Sequence, residues 1–129
     1  ERIAMFLQDK ENLYELQWND SVTYDQVFKE KERQFSIFNF DTADVELAKE
    51  GFKLAEREAQ NCIDQDLVYP AYDQMLKAAH LFNILLARNA VSVTERESYI
   101  SRIRNIAQMI ASKYVKIQEE SDLEQRPII

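Results

Sequence analysis

The stretch ADVELAKEGFKLAEREAQNCID, residues 43–64, carries the clearest helical pattern in the chain. Its apolar residues recur at spacings of four and three, which places them on one face of an α-helix. These residues are Ala48, Phe52, Ala55, Ala59 and Cys62. Gly51 lies within the same stretch, where glycine costs a helix about 1 kcal/mol relative to alanine. Its missing side chain would permit a close helix crossing, so the pattern predicts a long helix that packs tightly along one side.

A second helix is predicted directly downstream. Asp66 to Tyr69 is typical of a linker, and Pro70 suits the first turn of a helix. Asn89 favours the left-handed conformation that follows a helix end, so this helix should stop near Arg88. Its apolar residues again recur at spacings of three or four, at Tyr72, Met75, Leu76, Ala79, Phe82 and Leu86.

The last helix has the strongest start signal. Ser92 is followed three residues later by Glu95, which is the spacing of a capping box. One side of this helix is predicted to be apolar, and its residues are Ile100, Ile103, Ala107, Ile110, Tyr114 and Ile117. The period is lost after Glu119, so residues 120–129 are predicted to form a frayed tail.

The first 42 residues give weaker signals. A helix is predicted from Glu1 to about Asp9, and Trp18-Asn19-Asp20 is typical of a turn with an anchoring aromatic ring. Thr23 begins a second helix with the capping-box spacing, and either Asp41 or Thr42 is the predicted cap of the helix that follows. The second helix should present one apolar face, formed by Tyr24, Val27, Phe28 and Phe38.

Composition supports the same fold class. The chain has 129 residues with one glycine and two prolines, far fewer turn residues than a β-sandwich or a Rossmann-type fold requires. Hydrophobic residues make up 46% of the chain, enough to fill a core. We therefore predict an all-α fold, an irregular bundle of about four to five helices joined by short turns.

Several classes of protein are disfavoured. No apolar run approaches the roughly 18 residues of a membrane helix, and no secretory signal opens the chain. The single Cys62 suits a reducing cytoplasm as a small buried hydrophobe. One cysteine and one histidine cannot make an ordinary zinc site, and one glycine cannot make a phosphate-binding loop. Because the first residue is Glu1 rather than methionine, we expect a processed chain or an excerpt of a longer protein.

Catalytic chemistry is not evident in the residues themselves. His80 lies mid-helix near the apolar face, without a nucleophile or paired carboxylate at a matching offset, so a structural role is favoured. Glu95 and Glu97 are two residues apart on a helix and point about 200° apart. No nucleophile, base and oxyanion site can be assembled. These observations alone predict a non-catalytic helical module with no metal site.

Charge is unevenly distributed in this chain, which has a formal net charge of -7. Residues 77–116 hold seven bases and two acids, a local net charge of +5. The bases are Lys77, Arg88, Arg96, Arg102, Arg104, Lys113 and Lys116. Such a stretch is either a contact surface for RNA or an acidic partner, or simply the solvated face of one long helix.

One stretch is specific enough to indicate a family. Residues 69–104, YPAYDQMLKAAHLFNILLARNAVSVTERESYISRIR, closely resemble the C-terminal part of the α subunit of bacterial two-subunit glycyl-tRNA synthetases. The combination of AHLFN at 79–83 with SVTER at 92–96 carries the resemblance, and ERIAMFLQ, TYDQVF and FNFDTAD upstream fall in the right order. Two positions depart from the family pattern: Leu86 stands for an aspartate and Asn89 for a glycine.

The resemblance implies a fragment of an aminoacyl-tRNA synthetase whose class II catalytic domain lies upstream. Residues 1–20 would be the end of class II motif 3 and its helix, residues 21–119 a helical C-terminal domain, and residues 120–129 the tail. The parent would use ATP, with Mg²⁺, to activate glycine and would transfer it to tRNA(Gly) in the cytoplasm. Its implied partners are a β subunit and a second α subunit in an α2β2 enzyme, without membrane or DNA.

Arg2 is the residue that the resemblance assigns to ATP, because the arginine of motif 3 contacts the phosphates. A guanidinium suits this task since it stays charged and forks onto phosphate oxygens. No catalytic residue and no tightly bound cofactor are expected in this fragment, which should be inactive alone. The alternative is a stand-alone helical protein-interaction module without an enzymatic role.

Four arginines are predicted to form a docking surface for the tRNA acceptor arm or for the β subunit. They are Arg88, Arg96, Arg102 and Arg104. Because Arg102 and Arg104 are two residues apart on a helix, they point to different faces, and at least one of them should lie against protein.

Overall fold

The structure, a computed structural model, describes residues 1–125. Within this range the chain forms five α-helices and no β-strand. The helices are α1 (Arg2–Leu7), α2 (Glu30–Ile37), α3 (Val45–Asp64), α4 (Val68–Ala87) and α5 (Val93–Glu124). The predicted all-α bundle of four to five helices is therefore confirmed.

The chain divides into two compact units. The N-terminal unit comprises Glu1–Thr42 and contains α1 and α2, and the C-terminal unit begins at Ala43 and contains α3, α4 and α5. This division falls at the helix break before α3 rather than at residue 20. The assignment of residues 1–20 to a catalytic domain stays a prediction.

The apolar face predicted for α3 is buried at every position. Ala48, Phe52, Ala55, Ala59 and Cys62 all lie in the interior, and Ile63 joins them. Phe52 and Ala59 have no exposed surface. The spacing of four and three therefore identified the packing face of this helix correctly.

Gly51 lies at a close approach of α3 and α4. A Cβ atom at this position would be 2.8 Å from Cδ1 of Leu81 on α4, which is inside van der Waals contact. The predicted role of Gly51 in a close helix crossing is confirmed. Its cost to the helix is offset by the tight packing that it permits.

Two apolar clusters form the core of the C-terminal unit. In the first, the ring of Tyr99 on α5 meets Phe52 edge to face at 4.7 Å between centroids and stacks on Phe82 at 5.5 Å. The second cluster lies at the other end of α3, and its buried members are Ala59, Cys62, Ile63, Ala71 and Ile106. Cys62 is thus a buried residue, as predicted.

The buried side of α5 differs from the predicted one. Its buried residues are Tyr99 and Ile106, whereas Ala107 and Tyr114 are exposed and Ile103 is half-buried. Because α5 packs against both α3 and α4, its buried arc lies to one side of the predicted aliphatic stripe. Of the predicted stripe, Ile100, Ile103 and Ile110 are half-buried and pack against the two clusters, so the predicted face is confirmed in part.

Two side chains cap the long helices at their N-termini. Ser92 accepts a hydrogen bond from the amide of Glu95 at 3.2 Å, as predicted. At α3 the cap is Asp44, whose carboxylate accepts from the amide of Leu47 at 3.0 Å. The prediction of Asp41 or Thr42 was wrong because Phe38–Thr42 continues α2 as a π-helical turn.

The helix ends are predicted correctly in one case and incorrectly in the other. Asn89 has a φ of 52°, the left-handed conformation expected after α4. However, α5 continues to Glu124 instead of losing its helical structure after Glu119. Leucine and glutamate are good helix formers, and no proline lies within residues 120–125. The rest of the predicted tail, residues 126–129, lies outside the described residues.

The N-terminal unit is held by aromatic rings rather than by a buried core. Trp18 and Tyr24 both pack against Phe28, with centroids 5.1 and 4.8 Å away. The turn after Trp18 is closed by its amide, which donates to the carbonyl of Val22 at 2.7 Å. In the predicted apolar face, Tyr24 and Phe28 join this cluster while Val27 and Phe38 are exposed.

Candidate functional site

Arg2 lies at the first residue of α1 and its side chain is exposed. The neighbouring Glu1 carboxylate accepts a hydrogen bond from the hydroxyl of Tyr24 at 3.0 Å. This hydrogen bond raises the pKa of Tyr24 and ties the start of α1 to the aromatic cluster. Among residues 1–125 Arg2 forms no ion pair, so its guanidinium is accessible to a ligand.

Arg102 is the most constrained of the four predicted docking arginines. Its Nε and a terminal nitrogen donate to both oxygens of Glu56 on α3, at 2.7 and 2.6 Å. The guanidinium also lies over the rings of Phe52 and Tyr99, at 4.7 and 5.4 Å from their centroids. The hydrogen bonds from Arg102 to Glu56 raise the pKa of Arg102.

This arrangement gives Arg102 a structural task. A bidentate arginine–carboxylate pair is directional, and the aromatic faces add cation–π attraction. The pair therefore holds α5 in register against α3. The expectation that either Arg102 or Arg104 lies against protein is met by Arg102.

Arg88 lies at the end of α4 and is half-buried. Its Nε donates to the carbonyl oxygen of Ala43 at 3.3 Å, and it has further interactions. The contact links the turn at Asn89 to the segment before α3. Arg88 therefore stabilises the C-terminal unit, and its guanidinium is partly committed within it.

Arg96 and Arg104 are the two predicted docking residues that are exposed. They lie eight residues apart on α5, which corresponds to about 12 Å along the helix axis. Of the other bases in the stretch, Lys77 pairs with Asp73 at 3.2 Å and Lys113 with Asp66 at 2.8 Å. The Lys113 contact lowers the pKa of Asp66 and raises that of Lys113.

The structure thus separates the basic stretch into two groups. Lys77, Arg102 and Lys113 are held in ion pairs of the C-terminal unit. Arg96 and Arg104 remain at the surface, but they do not converge on one point. Some bases of the stretch therefore stabilise the fold, and others lie on the solvated side of α5. The interpretation of the stretch as a contact surface stays a prediction.

His80 lies on the exposed side of α4, not in the core. It lines a shallow groove together with Asp73, Leu76, Lys77 and Leu81. The prediction that His80 lies near the apolar face is therefore wrong, because the buried face of α4 is formed by other residues, among them Ala78, Phe82 and Leu85. The preference for a structural role over a catalytic one stays a prediction. Asp73 already pairs with Lys77, so the groove contains no assembled base and nucleophile.

No arrangement for metal chemistry or membrane insertion is found in the part of the chain that the structure describes. Residues 1–125 contain no group of three or more histidine, cysteine, aspartate or glutamate side chains placed to hold a metal ion. None of their helices combines the length and the apolar character required to span a membrane.

An apolar groove between α4 and α5 is the feature that the sequence did not predict. Its volume is about 440 Å³, and it is lined by Val68, Tyr69, Tyr72, Met75, Ala107, Ile110, Ala111 and Tyr114. Tyr72 and Tyr114 were expected on packing faces, yet they are 50% and 43% exposed. Three tyrosines are the sequence signal that this groove leaves: Tyr69 and Tyr72 at the start of one predicted helix, and Tyr114 in the C-terminal half of the next.

Two comparisons with known proteins bear on the chain as a whole. The sequence profile described as glycyl-tRNA synthetase alpha subunit matches residues 1–119. The glycine–tRNA ligase alpha subunit of Petrotoga mobilis (strain DSM 10674 / SJ95) is 47% identical over 115 residues. These residues make up 89% of this chain and 40% of that relative, so the chain spans about two-fifths of the length of the relative it matches.

Proposed function

Because the chain belongs to the glycyl-tRNA synthetase alpha-subunit family, we propose that it is part of a glycine–tRNA ligase. The parent enzyme would activate glycine with ATP and Mg²⁺ and transfer it to tRNA(Gly) during protein synthesis in the cytoplasm. The observation that carries this proposal is the match over residues 1–119. In the parent, a β subunit and a second α subunit would complete an α2β2 enzyme.

The 129-residue chain is proposed to be inactive by itself. Activation of an amino acid requires preorganised groups around the developing charge, and the described residues assemble no such site. Purified alone, the chain should show no glycine-dependent exchange between ATP and pyrophosphate. The α subunit of full family length, mixed with its β subunit, should show this exchange. Robust exchange by the chain alone would overturn the proposal.

Arg2 is proposed as a contact to the ATP phosphates. Support comes from its exposed guanidinium at the start of α1 and from its place in the run that resembles motif 3. In the intact enzyme, Arg2→Ala should raise the KM for ATP at least about tenfold, since a charged hydrogen bond is lost. Arg2→Lys should recover only part of the loss. Lys10→Ala, near the other end of the same segment, serves as the control and should leave the KM unchanged.

Arg96 and Arg104 are proposed to dock a partner of the parent enzyme, either tRNA or the β subunit. Arg88 and Arg102 would support this surface from behind through their contacts to Ala43 and Glu56. Replacing Arg96 and Arg104 together by alanine in the intact enzyme should weaken one of these associations. A tRNA contact should weaken steeply with salt, whereas a subunit contact with an apolar centre should weaken less. If both associations stay within twofold, these arginines are only solvated residues.

The alternative function, a stand-alone helical interaction module, is favoured by one observation, the exposed apolar groove on α4 and α5. The two proposals differ in their genetic consequence. If the chain is part of the ligase, disrupting its reading frame together with the adjoining coding sequence should abolish glycylation of tRNA(Gly) in a cell without another glycyl enzyme. A module without an enzymatic role would leave glycylation intact.

A further inference from the structure

The groove between α4 and α5 is built like a protein-binding surface. Its lining is apolar except for three tyrosine hydroxyls, and Tyr69 is 73% exposed. Exposed tyrosines that surround an apolar depression are typical of the centres of protein interfaces, where aromatic side chains contribute most of the binding energy. The groove extends along about two turns of each helix, from Val68 to Met75 and from Ala107 to Tyr114.

The end of α5 extends beyond this groove. Lys113 pairs with Asp66 in the turn between α3 and α4. At this point along α5, therefore, α3 ends and α4 begins. After Lys113, α5 continues to Glu124, a further length of about 16 Å. We call residues 115–124, which follow the last groove residue Tyr114, the overhang. Most of its side chains are exposed, including Val115 and Leu123 at 53% and 60%.

The overhang carries an unusual charge for the end of a helix. Residues 102–116 contain four bases and no acid, whereas residues 117–125 contain four acids and no base. The acids are Glu119, Glu120, Asp122 and Glu124. Within residues 1–125 none of the four forms an ion pair. Acidic side chains are unfavourable at a helix C-terminus, where the helix dipole is negative, so a cationic partner would relieve this repulsion.

We infer that the groove and the overhang together bind one amphipathic helix of a partner protein. The apolar face of that helix enters the groove between Tyr72 and Tyr114, and its lysine or arginine residues lie along the acidic overhang. A helix in an apolar groove is a recurrent mode of recognition, with anchors at spacings of three and four residues. Nucleic acid is disfavoured as the occupant because its phosphates are repelled by the four acids.

This surface is separate from the docking residues of the proposed function. Arg96 and Arg104 lie on the N-terminal half of α5, whereas the groove and the overhang occupy its C-terminal half. The inference concerns a partner of stated chemistry and requires no catalytic activity. It can therefore be tested on the 129-residue chain itself, without the rest of the parent enzyme.

The test uses a fluorescently labelled model helix, LKKLLKLLKKLLKL, and measures its binding by anisotropy. The chain should bind this peptide and should not bind the acidic counterpart LEELLELLEELLEL. Tyr72→Glu and Tyr114→Glu should each weaken binding at least about tenfold, because each places a charge in the apolar groove. Leu54→Glu adds the same charge at an exposed site on α3 and should leave the affinity within twofold. Circular dichroism confirms that each variant is folded.

Neutralising the overhang tests the electrostatic half of the inference. The combined variant Glu119→Gln, Glu120→Gln, Asp122→Asn and Glu124→Gln should weaken peptide binding and flatten its salt dependence. A control with the same change in net charge replaces four exposed acids of the N-terminal unit, Glu11, Glu15, Asp20 and Asp41, by their amides. The control should have the smaller effect at every salt concentration.

Three results would overturn the inference. In the first, the groove variants bind the peptide as well as the unmodified chain does. In the second, labelled bulk tRNA binds the chain directly and Tyr72→Glu or Tyr114→Glu abolishes that binding, which would make the groove a nucleic-acid site. In the third, sedimentation shows a dimer of this chain that Tyr114→Glu dissociates, which would make a second copy the occupant.

Discussion

The two units of the chain are both helical, but they are stabilised in different ways. Among the described residues, the C-terminal unit buries fifteen hydrophobic side chains and the N-terminal unit buries one, Leu16. In the N-terminal unit Ile3, Phe6 and Leu7 are at least 75% exposed. Its contacts are aromatic rings and tyrosine–carboxylate hydrogen bonds, such as the one of 2.6 Å from Tyr14 to Glu32. Helical content therefore does not by itself indicate a hydrophobic core.

The difference has a consequence for stability. Burial of apolar surface is the dominant favourable contribution to folding, and segments with few buried contacts open at low free energy. The C-terminal unit should thus determine the cooperative unfolding transition of the chain. The N-terminal unit should contribute little to it, because its contacts lie in or near water.

The largest expected effect is that of Phe52→Ala. Phe52 has no exposed surface and contacts both Tyr99 and Arg102, so its truncation should lower the free energy of unfolding by about 3–5 kcal/mol. Phe6→Ala, at a position 84% exposed, should change it by less than about 0.5 kcal/mol. Urea unfolding followed by circular dichroism measures both. Equal losses for the two variants would remove the contrast between the units.

Gly51→Val should have the next largest effect. Because a Cβ atom at Gly51 would lie 2.8 Å from Cδ1 of Leu81, a branched side chain must displace the Leu81 side chain from its packed position, at a cost of about 1–3 kcal/mol. Lys53→Val, two residues away on the exposed side of α3, introduces the same side chain without that contact. The same unfolding experiment compares them. If the Lys53 variant loses as much stability, the close crossing is not what constrains Gly51.

A smaller effect is expected from the ion pair between Arg102 and Glu56. Its side chains are 31% and 28% exposed, and Arg102→Ala should reduce the free energy of unfolding by about 1–2 kcal/mol. The similar pair of Arg33 and Glu30 in α2 is 60% and 64% exposed. Arg33→Ala should leave the unfolding midpoint unchanged within error. A double-mutant cycle with Glu56→Gln isolates the coupling, and a coupling of zero would contradict the register role of Arg102.

The smallest effect is a local one, the titration of Glu30. Hydrogen bonds from Arg33, and then from Gln34, lower the pKa of Glu30 from 4.5 to about 2. Since helix formation lowers this pKa, the contact stabilises the local turn of α2 above pH 4.5, and this local stabilisation is lost as the pH falls through about 2. Carboxyl NMR should show the low pKa, and Arg33→Ala should return it toward 4.5. An unchanged titration in this variant would show that Arg33 is not the cause.

Helices with an uninterrupted period were predictable because periodicity and capping are properties of neighbouring residues. The buried face of α3, the cap at Ser92 and the left-handed Asn89 all followed from local spacing. The family could also be identified from short runs such as SVTER at 92–96. This identification did not depend on any argument about the fold.

The errors arose where two elements compete for the same residues. The N-cap of α3 is Asp44 rather than the predicted Asp41 or Thr42, because those two residues belong to a π-helical turn. The buried side of α5 shifted to Tyr99 and Ile106 because two helices pack against it. His80 is exposed for a similar reason, since its neighbours on α4 occupy the core.

The sequence by itself determined the all-α class, the three long helices and the family, since each depends on residues close together in the chain. Only the tertiary structure decided which charged side chains form ion pairs and which stay exposed. Arg102 and Glu56 are 46 residues apart, and nothing in local spacing predicts that α5 brings them together while Arg96 and Arg104 stay at the surface. The apolar groove has the same origin, because a surface between two helices exists only after both have packed.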